Sequence, residues 1–462
     1  MPIDTKMKKV TIHFLGASGT VTGSKYLLET PEGNLMVDCG VFQGLKALRL
    51  HNWEALPVDV SKIDWVLLTH GHLDHTGYLP RLLQQGFTGE IWGTAPTLQI
   101  AEIILRDSAK IHEEEAEKAN QEGYSTHKPA LPFFSMEQAE ATLLHFNSCE
   151  KDSWLGLTPN IRCRFRYNGH ILGATFIELE IFEKTFVFSG DVGRQEDLLL
   201  YPPERPRWAD YLFLESTYGN KLHPKEDAAS FFAERIHEVI HQRGTLIIPS
   251  FAVERLQMLM FLLYQLYQEN AIPNIPIFVD SPMGNDVTQV FEQCPEWHRL
   301  EGHHIRAIQK HMQIVSSYKE TWETIDDPRP KVVIAGSGMV SGGRVLTYLK
   351  QLIGKPTTQI VLVGFQAEGT RGRQLLEGTH EVKFFGKYCT VKAQVHHLES
   401  LSAHGDQGDL LHWLYDIKNI PEHVFLVHGE PTALDALRSK IEQTHGWNVH
   451  IPTLFETFDV LV

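Results

Sequence analysis

The sequence predicts an α/β fold in which layers of antiparallel or mixed sheet come first and a parallel sheet follows. Short β-rich runs joined by turns fill roughly the first 200 residues, and alternating strand, loop and helix patterns begin at Asp210. The chain has 462 residues with 42% hydrophobic content, which is enough to bury more than one core. Two or three structural units are therefore expected.

The first region begins with strands that hairpin turns can connect. Apolar residues at helical spacing then predict helices over 97–119 and 136–145. Helices lying against a mixed sheet account for this order of elements. The strands predicted in this region are 10–15, 25–29, 35–38, 65–68, 163–167, 175–180 and 185–188.

The second region repeats a strand, a loop and a helix. Helices are predicted over 228–242 and 254–267. Repeated units of this kind imply a parallel sheet. The last 65 residues or so return to strand patterns. The strands predicted from residue 210 onward are 211–214, 246–249, 276–280, 331–335 and 424–427.

Composition favours a soluble cytoplasmic protein. The chain has no apolar run of the roughly 18 residues that would span a bilayer, and residues 1–6 lack the apolar core of a signal peptide, so no membrane association is expected. The five cysteines are scattered and include no C-x-x-C pair, which argues against disulfides and thiolate zinc sites. A reducing compartment fits this pattern.

The net charge of -15 argues against general nucleic-acid binding, but the charge is uneven. Residues 331–394 contain nine basic and three acidic side chains, a local excess of six positive charges. This stretch could attract phosphates, and a solvated basic face is the alternative.

The run Thr69-His70-Gly71-His72-Leu73-Asp74-His75 directly follows a predicted buried strand. Imidazole nitrogens and carboxylate oxygens are ligands for zinc-class ions. Because four donors at this spacing point in too many directions to serve one ion, the run predicts two adjacent metals. His70, His72, Asp74 and His75 are the candidate ligands that it contributes.

Three distant residues can complete these two sites, because each is delivered into a loop by a strand. They are His170, Asp191 and His428. One ion would take His70, His72 and His170, the other would take Asp74, His75 and His428, and Asp191 is suited to bridge them. Two such metals can share a hydroxide and clamp an in-line displacement, which favours phosphoester hydrolysis. Asp38, at another strand end, either orients a ligand histidine from behind or begins a turn.

These residues, in this order, resemble the metallo-β-lactamase fold, and the middle of the chain resembles the β-CASP group of nucleases. The resemblance covers nearly the whole chain and includes the group's three sequence motifs. The shorter bacterial and archaeal members are the best match, because few residues follow His428. The motifs are Glu215-Ser216-Thr217-Tyr218-Gly219, Ser402-Ala403-His404-Gly405-Asp406 and Leu426-Val427-His428-Gly429-Glu430.

The resemblance implies an αββα metallo-β-lactamase sandwich with an inserted doubly wound, parallel-sheet β-CASP domain. Residues 1–209 and 396–462 would form the sandwich and residues 210–395 the insertion, with the active site between them. Two zinc ions, or manganese ions, would be bound. The implied substrate is single-stranded RNA, and a DNA-directed nuclease of the same group and a homodimeric assembly stay open.

The implied reaction attacks a phosphodiester with a hydroxide that bridges the two metals, and Asp191 is the carboxylate that the two metals share. His404 would protonate the departing ribose oxygen, and Glu215 would hold the other nitrogen of that imidazole; a loop-capping role is the alternative for Glu215. Ser337 and Gly338, followed by a helix predicted from Arg344, suggest a phosphate-binding loop.

Two other functions are compatible with part of this pattern. A two-metal hydrolase of a small ester, lactam or thioester would share the histidine run but would not need a large basic insertion. A non-catalytic RNA-binding scaffold would be expected to lack some metal donors, whereas all seven are present here.

Overall fold

The computed structural model describes residues 8–123 and 128–462. Residues 1–7, to which the expected lack of a signal peptide refers, therefore lie outside the described residues. Among the described residues, no helix is both long and apolar enough to cross a membrane.

In the first part of the chain, the described residues form eleven strands and five α-helices. The 3-10 turn Val60–Lys62 precedes the fourth strand. The helices are α1 Lys46–His51, α2 Leu73–Thr76, α3 Leu79–Gln84, α4 Ala95–Glu122 and α5 Met136–Leu143. The strands are β1 Lys9–Phe14, β2 Tyr26–Thr30, β3 Gly33–Val37, β4 Ile63–Leu67, β5 Glu90–Thr94, β6 Phe146–Cys149, β7 Leu155–Thr158, β8 Ile161–Tyr167, β9 Thr175–Ile181, β10 Lys184–Phe188 and β11 Tyr211–Glu215.

The middle of the chain alternates helices and strands as the sequence predicts. Its helices are α6 Ala228–Gln242, α7 Arg255–Gln268, α8 Pro282–Gln293, α9 Gly302–His311, α10 Tyr318–Asp326, α11 Val345–Leu352 and α12 Arg371–Leu376, with a 3-10 turn at Pro295–Trp297. Its strands are β12 Thr245–Pro249, β13 Ile277–Asp280, β14 Gln313–Ile314, β15 Lys331–Ala335, β16 Thr358–Val363, β17 Glu381–Phe384, β18 Lys387–Thr390 and β19 Gln394–Leu398.

The C-terminal part returns to the first unit. Its helices are α13 Gln407–Trp413 and α14 Pro431–His445, and its strands are β20 His423–Val427, β21 Val449–His450 and β22 Thr457–Leu461. Two seven-stranded sheets result, in the orders β22-β1-β2-β3-β4-β5-β6 and β21-β20-β11-β10-β9-β8-β7.

The two seven-stranded sheets pack face to face over one apolar core, which includes Phe14, Phe188, Phe213 and Phe425. A second core covers the outer face of the first sheet with α3, α4 and α5, and a third covers the other sheet with α13 and α14. Helices outside two packed sheets form the αββα layers that the sequence resemblance implies.

The insertion is built on a six-stranded sheet in the order β14-β13-β15-β12-β16-β19. Every pairing in it is parallel. Helices α6 to α9 cover one face and α11 and α12 the other, so both faces are apolar and buried. The predicted doubly wound parallel sheet is confirmed.

Strand pairing separates the two units at different residues from those predicted. Tyr211–Glu215 lies in the sandwich, where it pairs with β10 and β20, although the sequence places it in the insertion. Gln394–Leu398 pairs with β16 of the inserted sheet. Both are short apolar strands that follow the alternating pattern, so periodicity alone does not show which sheet they join. The inserted segment thus leaves and returns through two adjacent parallel strands, β11 and β20.

Candidate metal centre

The histidine run lies where β4 ends beneath the inserted domain. The strand stops at Leu67, and the short helix α2 begins at Leu73 after His72. His70 and His75 are buried, whereas His72 and Asp74 are half-buried. Because the strand end and the short helix follow one another within a few residues, the four side chains gather at the same end of the sheet.

Four donor atoms form a first set. His72 Nδ1 lies 3.2 Å from His70 Nε2 and 3.3 Å from His170 Nε2. Asp191 Oδ2 lies 3.4 Å from His70 Nε2 and 3.5 Å from His170 Nε2. Tetrahedral ligands at zinc distances of about 2.0–2.1 Å lie roughly 3.3 Å from one another, so the spacing of this set fits one zinc-sized ion.

The second set lies on the other side of the Asp191 carboxylate. Asp191 Oδ1 lies 3.3 Å from His75 Nε2 and 3.4 Å from His428 Nδ1. Asp74 Oδ2 lies 3.5 Å from His428 Nε2 and 4.0 Å from His75 Nε2. Each oxygen of Asp191 thus faces one of the two donor sets, which is the arrangement of a bridging carboxylate.

The chemistry of these donors also fits divalent cations. Among the described residues, the buried atom Asp191 Oδ1, which faces the second set, has no hydrogen-bond partner. Burial lowers the pKa of His70 and of His170 well below the ordinary value and lowers that of His72 to about 4. These imidazoles are therefore neutral at pH 7, which is the form that binds a metal.

Asp38 lies behind the second donor set. Its carboxylate accepts hydrogen bonds from the Thr69 backbone N–H at 2.8 Å and the Thr69 hydroxyl at 2.8 Å, and it lies 2.8 Å from His75 Nδ1. A proton on Nδ1 would leave His75 Nε2 free to face Asp191. Although burial opposes it, the two carboxylates Asp191 and Asp38 raise the pKa of His75 well above its ordinary value.

His404 and Glu215, which both lie outside the inserted sheet, adjoin the centre beside Asp191. His404 Nδ1 lies 3.2 Å from Glu215 Oε1, and His404 Nε2 lies 4.0 Å from Asp191 Oδ2. Burial disfavours the charged imidazole, but Glu215 and Asp191 outweigh it and raise the pKa of His404. Glu215 also accepts the backbone N–H groups of Val192 and Thr217, so it caps the loop and holds His404 at the same time.

The predicted phosphate loop lies close to the first donor set. A Cβ at Gly338 would lie 2.5 Å from the Phe251 ring, and that ring is centred 6.5 Å from the ring of His72. The hydroxyl of Ser337 accepts the N–H groups of Ser341 and Gly342, so this serine organises the loop from within.

The helix after this loop does not offer free N–H groups to an anion. The N–H of Val345 donates to Gly336 O, and the N–H of Leu346 donates to Gly343 O. Arg344 donates to Asp280 Oδ1 at 3.3 Å and to the Thr321 hydroxyl at 2.7 Å. These contacts direct its guanidinium into the insertion.

Phe251 is a functional candidate that the sequence reasoning did not assign. It follows the buried strand β12 directly, as the histidine run follows β4. The same signal, a side chain delivered by a buried strand end, could have identified it. Aromatic residues are less specific in this position than histidines, because they also fill cores.

Lys25 is a second residue that the sequence reasoning did not assign. Its buried ammonium donates to Gly23 O at 3.1 Å and to Gly40 O at 2.5 Å, and lies 4.6 Å from the centre of the Phe42 ring. A Cβ at Gly40 would meet Asp74 O at 1.6 Å, so the lysine fixes a loop that packs on the metal-binding run. Burial lowers the pKa of Lys25 to about 8.

The lowered pKa predicts that Lys25 makes stability depend on pH. Between pH 8 and 10.5 the native chain has released this proton while the unfolded chain still binds it, so stability rises with pH. Relative to Lys25→Met, we expect the wild type to gain about 3 kcal/mol over this interval, measured by urea unfolding.

Lys9→Met is the matched control for Lys25→Met, because Lys9 is an exposed lysine paired with Asp459 at 2.8 Å. It should follow the wild type at every pH. Parallel pH profiles of the wild type and Lys25→Met would contradict the prediction.

Three family profiles match consecutive parts of the chain. The "Metallo-beta-lactamase superfamily" profile matches residues 19–112 and the "Beta-Casp domain" profile matches residues 256–375. The "Zn-dependent metallo-hydrolase RNA specificity domain" profile matches residues 388–452. The first match contains the histidine run, and the last contains His404 and His428.

Comparison with curated proteins and solved structures agrees with these matches. The chain is 33% identical to ribonuclease TTHA0252 of Thermus thermophilus, over 91% of this chain and 94% of that protein. It is 28% identical to the transcription termination factor FttA of Methanocaldococcus jannaschii, over 91% of this chain but 67% of that longer protein.

A crystal structure of a protein of unknown function from Enterococcus faecalis V583 aligns with a TM-score of 0.51. It covers 98% of this chain and 100% of that one at 11% identity, so it bears on the fold alone. With an αββα sandwich, an inserted parallel-sheet domain and a relative at 33% identity, the chain belongs to the β-CASP group of the metallo-β-lactamase superfamily.

Proposed function

We propose that this protein is a two-zinc ribonuclease that hydrolyses phosphodiester bonds of single-stranded RNA in the cytoplasm. The observation that carries the proposal is the position of Asp191, whose two oxygens face two donor sets while His404 lies 4.0 Å away. The five cysteines are free thiols, which supports a reducing compartment.

His70, His72 and His170 would hold one ion, and Asp74, His75 and His428 the other, with Asp191 shared. When bound, two such cations activate water and neutralise charge on the phosphoryl oxygens. Zinc is favoured over manganese because the first set offers three imidazole nitrogens and one carboxylate oxygen at tetrahedral spacing. Asp38 would keep the ring of His75 in one orientation.

His404 would protonate the departing ribose oxygen from Nε2. Its Nδ1 is held by Glu215, so the proton available for transfer lies on the nitrogen that faces the metal centre. Glu215 is fixed in turn by two backbone N–H groups, which keeps its carboxylate from rotating away. A leaving alkoxide needs such a proton, whereas a good leaving group does not.

The substrate would lie between the sandwich and the insertion, along the loop of Ser337 and Gly338. Gly338 packs against Phe251, which lies beside His72, so a phosphate at the centre would have this loop as its neighbour. Arg344 would contribute through the position of the helix that follows it rather than through direct contact.

RNA is favoured as the substrate by the family profile that mentions RNA specificity and by the ribonuclease name of the Thermus relative. A hydrolase of small esters, lactams or thioesters remains the second candidate, since it would use the same donors. No feature of the inserted domain favours it.

Incubation of the zinc-loaded protein with end-labelled RNA and DNA of one sequence tests the proposal. Labels on the 5′ and 3′ ends distinguish internal cleavage from exonuclease action, and duplex and single-stranded forms test strand preference. We expect cleavage of single-stranded RNA that stops when the metals are chelated. Activity that survives complete metal removal would contradict the mechanism, and preferred cleavage of DNA would contradict the substrate.

A further inference from the structure

The hairpin of β17 and β18 carries exposed aromatic rings beside basic side chains. It projects from the inserted domain and joins Phe384 to Lys387 through Phe385 and Gly386. We call the outer surface of this hairpin, together with two basic residues of the adjoining helices α11 and α12, the basic–aromatic rim. The rim comprises Lys350, Arg371, Lys383, Phe385, Lys387 and Tyr388.

Both aromatic residues of the rim are exposed to solvent, and one of them has a strained backbone conformation. Phe385 is 49% exposed and Tyr388 is 69% exposed. Phe385 also has a φ of 46°, in the left-handed region that favours Gly and Asn. A bulky ring that is both exposed and conformationally strained is a reason to look for a binding role.

The cations of the rim have no carboxylate partner among residues 8–123 and 128–462. Elsewhere in the insertion, Arg344 pairs with Asp280 and Arg373 with Glu377. Within the part of the chain that the structure describes, none of the four rim cations forms an ion pair. The rim accounts for much of the local positive charge in a protein whose net charge is -15.

Rings and cations are interleaved within the rim. The ammonium of Lys350 lies 5.2 Å from the centre of the Phe385 ring, and that of Lys383 lies 5.6 Å from the Tyr388 ring. Lys118 of α4, in the sandwich, lies 5.7 Å from the Phe385 ring and pairs weakly with Glu122 at 4.0 Å. The hairpin tip therefore stands where the two units meet.

Arg371 connects the rim to the loop beside the metal centre. Its guanidinium donates to Lys383 O at 2.8 Å, to Val340 O at 3.2 Å and to Ser341 O at 3.1 Å. Burial and then the charge of Arg49, from the sandwich, lower the pKa of Arg371. Arg49 and Arg371 thus bring positive charge from both units to this end of the rim, and no described carboxylate forms an ion pair with Arg371.

We propose that the basic–aromatic rim binds single-stranded RNA beyond the nucleotides held at the metal centre. Phe385 and Tyr388 stack on unpaired bases, and the four cations neutralise the adjacent phosphates. The inference rests on the proposed function and adds the path that a longer substrate follows away from the reacting bond.

Fluorescence anisotropy with a 20-nucleotide RNA in EDTA tests binding without cleavage. We expect Phe385→Ala combined with Tyr388→Ala to weaken binding at least about 30-fold, because the stacking of two bases is lost. Binding of a 20-base-pair RNA duplex should not change, since its bases are already stacked. Lys383→Ala with Lys387→Ala should lower the salt slope of single-strand binding by about 1.4.

Tyr415→Ala is the matched aromatic control, because Tyr415 is 75% exposed outside the rim. Phe385→Trp with Tyr388→Phe should retain wild-type affinity, which separates stacking from general disturbance of the hairpin. Wild-type affinity in the alanine pair would overturn the proposal, as would an equal loss of duplex binding.

Cleavage assays distinguish this failure from failure of the proposed function. In the zinc-loaded protein, the alanine pair should raise KM for a 20-nucleotide RNA and leave kcat unchanged. If the wild type binds RNA through the rim but cleaves none, the proposed ribonuclease activity is contradicted and RNA binding by the rim is supported. If the alanine pair cleaves RNA with an unchanged KM, RNA binding by the rim is contradicted and the proposed ribonuclease activity is supported.

Discussion

Asp191→Asn should lower RNA cleavage by at least about 1,000-fold and remove at least one of the two expected metals. The wild-type carboxylate presents one oxygen to His70 and His170 and the other to His75 and His428. An amide keeps the shape but offers one oxygen and one NH₂ group, so it can serve only one donor set. Metal content by mass spectrometry and cleavage of labelled RNA measure the two effects.

Asp210→Asn is the matched control for Asp191→Asn. Asp210 precedes β11 at the opposite end of the same sheet, where its carboxylate accepts the N–H of Thr185 at 2.8 Å. This variant should keep both metals and the wild-type rate. If Asp191→Asn instead retains two metals per chain and full activity, Asp191 does not bridge the two sets.

His404→Ala should leave metal binding intact and slow RNA cleavage by about 100- to 10,000-fold. The imidazole lies 4.0 Å from Asp191 but is held by Glu215, so its removal takes away a proton donor and leaves the two donor sets complete. A phosphodiester with a p-nitrophenolate leaving group needs no proton, and its hydrolysis should be slowed much less. Single-turnover rates on both substrates measure this difference.

His412→Ala is a suitable control for His404→Ala, because His412 contacts Arg205 on the exposed side of α13. It should cleave both substrates at the wild-type rate. Equal slowing of RNA and of the p-nitrophenyl ester in His404→Ala would contradict a role as general acid. Loss of metal from that variant would instead make His404 a ligand.

The layers of the fold were predictable because periodicity reports which faces are buried. Ala228–Gln242 and Lys331–Ala335 have the bounds that their apolar spacing predicts. The allocation of Tyr211–Glu215 to the sandwich was not predictable in this way, because a buried strand has the same pattern in either sheet. Only the pairing of this strand with β10 and β20 shows that it belongs to the sandwich.

The candidate site was accessible for a related reason. Histidines and carboxylates at strand ends are uncommon and chemically specific, so His70, His170 and His428 could be grouped across the chain before the fold was known. Arg344 shows the limit of this reasoning, because its position predicts a phosphate contact while Asp280, 64 residues earlier, takes its guanidinium. Such a partner is set by tertiary packing alone.

The inserted domain lies within the connection between two neighbouring strands of the sandwich, β11 and β20. The two strands are parallel, with Tyr211 opposite His423 and Glu215 opposite Val427, so the chain leaves β11 at one end of the sheet and enters β20 at the other end. Parallel neighbours need a crossover connection of about a dozen residues or more, and the inserted domain lies within this crossover. Since the inserted sheet adds no strand to the two sandwich sheets, changes within the insertion can leave the geometry of the metal-binding residues of the sandwich intact.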